Sequence, residues 1–263
     1  MMPEVQTYRH VFPTRDLLFE WTYRCLQARY KQSILGWFWA VIQPAAQVAI
    51  FTLIFTRFVP VDTGKTPYLI FSYVALVPWT LLSTALPEMA TSVVDNMALL
   101  AKIYFPRETL AIALMLSRLT DCFIAAIVIA VLIMVYQVPA FPLGWLYLPL
   151  ILTIELTLII GLGLACAALN VFFRDIKVIL VLGLQVWFYA SPIIYPISVV
   201  PSSLHWIYFL NPMAGVIVAL RDVLLEQRLP GPYLVEAGLV SVIVFLGGYW
   251  LFKRLEFRFA DIV

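Results

Sequence analysis

Long uncharged stretches alternate with short polar knots along this chain. Residues 1–13 form a polar tail. From Thr14 the pattern turns helical, with Thr14 placed to cap and Asp16 in the first turn. Leu17, Leu18, Trp21, Cys25 and Leu26 fall near one face, and Asp16, Glu20, Arg24, Gln27 and Lys31 mostly on the other. That division suits a helix lying in a membrane interface, and equally an ordinary helix packed on a partner. Gln32–Thr56 then carries no Asp, Glu, Lys or Arg over 25 residues, and Thr66–Pro87 none over 22. Each is long enough to cross a bilayer. Further spans are predicted at about 109–137, 146–172 and 233–252.

The most unusual stretch follows the charged knot Arg174-Asp175-Ile176-Lys177. Val178–Leu220 is 43 residues without Asp, Glu, Lys or Arg. As one helix it would be roughly 65 Å long, about twice a bilayer core. Val178–Ala190 is uninterrupted and apolar. Beyond it, Pro192, Pro196, Pro201 and Asn211-Pro212 break the run. The pattern predicts one full span followed by short helical pieces, over 196–220, that dip into the membrane and return. Broken backbone at membrane depth needs cover from protein or a water-filled cavity, so this stretch marks a pathway, with the other spans packed around it.

The fold class is therefore all-α, a polytopic membrane protein with six transmembrane helices. It has a 1–32 tail with an interfacial helix, a 33–252 membrane domain and a 253–263 tail. A polar loop at 91–107 contains a short amphipathic helix. Composition agrees: 63% of residues are hydrophobic and 12% charged, where a soluble domain has about a quarter charged. The net charge of +2 gives no argument for nucleic acid. With both ends inside, twelve Lys or Arg lie inside and four outside. A seven-span path, with Leu204–Leu220 crossing, gives eleven and five. Asn211-Pro212 in the middle of that run argues against it. The first 32 residues hold five basic side chains and no apolar core of signal-peptide length. Cys25, Cys122 and Cys166 have no metal-like spacing, so no metal site is expected. Gly161 and Gly163 would let span 4 approach a neighbour closely.

Three charges fall inside predicted spans. Arg118 and Asp121 are three apart and share a face, and Glu155 on span 4 could join them. Intramembrane charges point to function by default. Here the better reading is structural: an ion pair that holds spans together, or an Arg that snorkels near the inner boundary. Aromatic side chains gather at two places: Tyr30, Trp37, Phe38 and Trp39 at the start of span 1, and Trp187, Phe188, Tyr189 and Tyr195 before the broken segment. Such rings anchor spans at the interface, or line a path on which sugar rings stack and slide.

Several motifs occur together. They are RYKQSILGWFWAVIQP at Arg29–Pro44, FPRE at Phe105–Glu108, NVFFRDI from Asn170, ASPIIYP from Ala190, and LNPMAG from Leu210 with Arg221-Asp222 after it. In combination they resemble the permease subunits of ATP-binding-cassette polysaccharide exporters, the type-2 branch that carries O-antigens, capsules and teichoic acids. The resemblance runs from about residue 14 to the C-terminus. It implies a transport subunit and not an enzyme, working as a homodimer with two separate ATPase subunits. Those partners would bind ATP and Mg, and this chain would hold no cofactor. It implies that the 91–107 loop is a coupling helix, with Asp95, Asn96, Leu99, Lys102, Arg107 and Glu108 at the ATPase. It implies a polyprenyl-pyrophosphate-linked polysaccharide as cargo, with Arg29 and Lys31 meeting the headgroup. Alternatively those two are ordinary positive-inside residues. The implied location is the bacterial cytoplasmic (inner) membrane, with both termini cytoplasmic. Two further readings stay open: the same kind of permease for another amphiphile, lipid or drug, and an intramembrane glycosyl-transferring enzyme. The second would need an acid–base cluster, for which Arg118, Asp121 and Glu155 are a thin set.

Overall fold

The computed structural model describes residues 14–31, 36–64, 66–100 and 105–261. Among these the regular structure is entirely helical. Helix α1 covers Thr14–Tyr30. A 3-10 turn at Gly36–Phe38 leads into α2, Trp39–Leu53, which ends in a π-turn at Ile54–Phe58. The others are α3 (Tyr68–Thr91), α4 (Met97–Leu100), α5 (Glu108–Val135), α6 (Pro142–Trp145), α7 (Leu148–Phe172), α8 (Ile176–Tyr189), α9 (His205–Tyr208), α10 (Pro212–Leu224) and α11 (Tyr233–Leu255).

Five helical segments are long and apolar enough to cross a membrane: Gly36–Phe58, α3, α5, Pro142–Phe172 and Tyr233–Phe259. The pair Ser202–Tyr208 and Pro212–Leu224 is bent by 115° at its break and makes a sixth only if counted as one span. Helix α8 has 14 residues and so rises only about 21 Å, short of a full bilayer core. The run from Val178 is thus a shorter element than the uncharged stretch suggests.

The packing centre is α3, not the broken segment. Helix α3 touches α2, α5, α7, α8 and α10. Ile70, Val74, Leu76, Leu82, Leu86 and Met89 on it are fully enclosed, whereas much of α8 is exposed on this single chain. The cause lies in its sequence. Helix α3 is apolar on every side, the signature of a helix with neighbours all round. Its hydroxyls satisfy themselves internally: Ser72 donates to the Tyr68 carbonyl at 2.9 Å and Thr84 to that of Thr80 at 2.7 Å. Pro78 and Pro87 are absorbed within α3, and Pro44 within α2.

Lipid is as apolar as a leucine side chain, so helices here are held by close contact and polar ties. Helices α7 and α11 share the most extensive contact. They cross at glycines: a Cβ on Gly161 would run into the Phe245 backbone, and one on Gly248 into Gly161. Gly163 lies equally close to Met89 on α3, so both glycines of span 4 allow close approach.

Candidate functional site

The broken segment after α8 is built by satisfying a backbone that cannot satisfy itself. Past Tyr189 the chain turns at Ser191 and runs through Pro192 and Pro196, so the carbonyls of residues 192–195 have no helical amide to meet. Each finds a donor from elsewhere. Arg221 of α10 reaches Pro192 O at 2.5 Å, Ile193 O at 2.8 Å and Tyr195 O at 3.5 Å. The Tyr68 hydroxyl reaches Ile194 O at 2.9 Å. Arg221 also donates to Phe71 O at 3.2 Å, and its guanidinium lies 3.4 Å from the centre of the Phe71 ring. It is only 3% exposed, inside the fold. Only a planar, many-donor cation can tie four separate carbonyls this way.

Asn211 is the second tie. Its carbonyl oxygen accepts from Met213 N at 3.1 Å, capping α10, and from Trp187 Nε1 at 2.8 Å. Its amide donates to Ser191 Oγ at 2.9 Å. The end of α8 is thereby fixed to the start of α10. Trp187 and Phe188 are packed inward, edge-on against Trp79, and Phe188 also contacts Phe51. Tyr195 bonds the Tyr208 hydroxyl at 3.0 Å and Tyr189 O at 3.0 Å. The eight aromatic candidates therefore divide. Trp37, Phe38, Trp39 and Tyr189 are exposed on this chain, while Phe188 is buried and Tyr30, Trp187 and Tyr195 are half-buried and hydrogen-bonded.

A second site joins α1, α3 and α5. The half-buried side chains of α1 recur as Leu17, Leu18, Trp21, Thr22, Cys25, Leu26, Arg29 and Tyr30, one stripe facing α5. At its end Arg29 donates to Glu88 at 3.0 Å, Asp121 at 3.1 Å and Ser117 Oγ at 3.0 Å. Arg118 donates to Glu88 through Nε at 2.9 Å and also through Nη2, and to Asp121 at 3.3 Å. The Tyr30 hydroxyl bonds the other Asp121 oxygen. Burial, and then that bond, push the Tyr30 phenol up to about 12, so it stays protonated and donates. Two cations and two anions close a neutral ring. A cavity of about 240 Å³, bordered by Trp39, Gln43 and Thr84, opens beside it.

This ring changes two expectations. Arg118 and Asp121 do pair, but the further acid is Glu88, one residue past Pro87, and not Glu155. Glu155 lies on α7 facing Cys122, buried, and its Oε1 has no hydrogen-bond partner. Arg29 is committed to two carboxylates, so a phosphate there would have to displace them. Lys31 is exposed just past α1. A Glu near the end of one span, facing an Arg-Asp pair on the next, is the trace that could have located Glu88.

At the end of α3 away from the broken segment, just past Glu88, the 91–107 loop holds a 3-10 turn at Val94–Asn96 and then α4. Asp95 is exposed, Leu99 is half-buried, and Asn96 donates to Ser92 O at 2.8 Å. Lys102 lies outside the described residues. Arg107 and Glu108 are occupied within the chain. Arg107 donates to Glu256 O and lies over the Phe259 ring, and Glu108 pairs with Lys253 at 2.8 Å. They join the start of α5 to the C-terminal segment.

These features define a helical membrane protein with five long spans, a bent helical pair whose second helix carries Arg221, and a loop with a short helix at the other end. Residues 17–225 match the family described as ABC-2 type transporter, and the chain belongs to it. It is 30% identical over 261 residues to the O-antigen export system permease protein RfbA of Myxococcus xanthus, covering 98% of this chain and 99% of that one. A protein of the same name from Klebsiella pneumoniae is 29% identical over 249 residues, 94% and 95% of the two chains. The polysialic acid transport protein KpsM of Escherichia coli is 23% identical over 202 residues, 76% and 77% of the two chains.

Proposed function

We propose that this chain is the membrane permease subunit of an ATP-driven exporter that carries a lipid-linked, O-antigen-like polysaccharide across the bacterial cytoplasmic membrane. The observation that carries this is similarity along nearly the whole chain to the O-antigen export permease of Myxococcus xanthus. In this reading two copies pair and two separate ATPase subunits bind ATP and Mg. The loop at 91–107 docks on the ATPase through Asp95, Leu99 and Lys102. Helix α8 serves as a short fifth span, and α9 and α10 re-enter from the outside, giving six spans with cytoplasmic ends. Helix α1 lies in the inner interface, and lipid-linked polymer arrives there past Lys31, Trp37 and Trp39.

The physical case is that a polymer path needs polar backbone and aromatic faces held open in a membrane. The irregular 190–195 backbone, braced by Arg221, Tyr68 and Asn211, supports such an opening, and Trp37, Phe38 and Trp39 supply exposed rings. Deleting the gene should leave finished polysaccharide trapped inside the cell. Affinity capture of the tagged chain from its host should bring down a Walker-motif ATPase near one-to-one. Normal surface polysaccharide in the deletion strain would refute the reading.

A further inference from the structure

Three turns at the same end of the bundle, together with residues 196–198 of the broken segment, border an open cavity of about 950 Å³. The turns connect α2 to α3, α5 to α6 and α10 to α11. The cavity is separate from the charge ring and from the aromatic cluster at Trp79. Two of its lining residues have an unusual property. Among the described residues only Gln137 and Gln227 are non-glycine residues with positive φ, at 51° and 54°, and both line this cavity.

Each ends a helix. Gln137 follows α5, where the Val138 amide reaches back to Ile133 O at 3.0 Å. Gln227 follows α10, where the Arg228 amide reaches back to Asp222 O at 3.0 Å. A helix end of this kind favours glycine, because a Cβ is crowded in the left-handed region. Backbone chemistry alone gives no reason for glutamine here, and none for having it twice around one space. Strained positions of this sort gather at ligand clamps. Gly64, with φ of 67°, supplies the third wall without any side chain.

The charges in the cavity are already compensated. Arg228 pairs with Asp222 at 2.6 Å and with Glu226 at 2.9 Å. Arg221 is spent on carbonyls, and Asp62 accepts from Gly64 N at 2.8 Å. Among the described lining residues an anion would find no uncommitted cation. What remains free in kind is neutral hydrogen bonding from two amides, beside the Tyr136 ring. That chemistry matches a hydroxyl-rich, uncharged chain.

We infer that this cavity is a binding site for an uncharged stretch of carbohydrate, gripped by the Gln137 and Gln227 amides at the far end of the path from the ATPase. The inference rests on the polysaccharide reading above. It adds a site that holds the emerging polymer while the rest is still inside.

The test is the double variant Gln137→Gly/Gln227→Gly in the purified complex of this chain with its ATPase. The probe is delipidated polysaccharide released from the host's own surface, with binding read by tryptophan fluorescence. Thermal unfolding is recorded in parallel. Removing the Cβ at both sites should leave the melting temperature unchanged or higher. Affinity should fall by about tenfold or more, as expected for lost hydrogen bonds. Wild-type affinity and export in the double variant would overturn the inference. If the variant cannot be purified, Gln227→Cys replaces it. A membrane-impermeant maleimide should label that cysteine from outside, and the polysaccharide should protect it. Labelling that the polysaccharide does not slow would overturn the inference too. Failure of the transport reading looks different, since the deletion strain would then display normal surface polysaccharide.

Discussion

Arg118 and Arg29 share Glu88 and Asp121 in a ring whose members are 17–30% exposed, so each single removal leaves one partly buried charge uncompensated. Arg118→Ala should therefore lower stability and complex yield by roughly 1–3 kcal/mol, and not transport alone. The neutral pair Glu88→Gln/Arg118→Gln should cost less than either single change. Thermal unfolding of the four proteins in a double-mutant cycle checks this, and a full-yield Arg118→Ala protein that fails only in export would refute it. Arg221 poses a sharper problem. Lysine keeps the charge but cannot reach four carbonyls from one plane, so Arg221→Lys should leave most of the 192–195 backbone unsatisfied. Loss on the order of 3 kcal/mol is expected, with new protease cleavage near Tyr195, read by limited proteolysis. The Arg118–Asp121 pair was legible in sequence because both sit on one helix face. Glu88 and Arg221 were not, because Arg118 lies 30 residues from Glu88 and the carbonyls tied by Arg221 lie 26 to 150 residues from it, so only the fold brings them in.

At the scale of elements, two adjacent glycines separate packing from propensity. Gly248 faces Gly161 at the α7–α11 crossing, while nothing lies within 4 Å of a Cβ built on Gly247. Gly247→Ala should be neutral or stabilising by about 0.5–1 kcal/mol, since alanine favours helix. Gly248→Ala should force the helices apart, costing at least as much as an overpacked core, about 1–3 kcal/mol. Size-exclusion profiles and melting temperatures of the two proteins, side by side, check the pair. Equal behaviour would mean the crossing is looser than it looks. Five long spans were readable from apolar length, two of them free of charge altogether, and the start of α1 from Thr14. Two features were not. The prolines after Ala190 predicted the folded-back pieces, but hydropathy did not show that α8 stops at 14 residues, short of a full span. Nor does a proline reveal whether its helix stops: α3 runs through Pro87 to Thr91, because neighbours on all sides hold it.

For the whole molecule the open question is what covers α8. Val178, Ile179, Leu182, Val186 and Tyr189 are exposed along it, and so is Gln185 in its middle. An apolar stripe alone could face lipid. A glutamine amide at that depth, on a helix leading into the broken backbone at Ser191, could not do so without cost. Protein or water must lie against it. A second copy placed there would give both, a protein wall and a lumen between two α8 faces. The exposed stripe of α5, with Phe123 and Ile127, carries no such polar group and suits lipid. The homodimer reading thus predicts that the two faces differ. In a chain lacking Cys25, Cys122 and Cys166, Val186→Cys should cross-link to a second copy with a short bis-maleimide in membranes. Phe123→Cys, also exposed on a single chain, should not. Cross-linking at both positions would indicate chance collision, and at position 123 alone would place the partner on the wrong face. If only Val186→Cys links, and does so in the presence of the ATPase, the lumen lies between the α8 helices and the bent pair α9–α10 stands at its mouth.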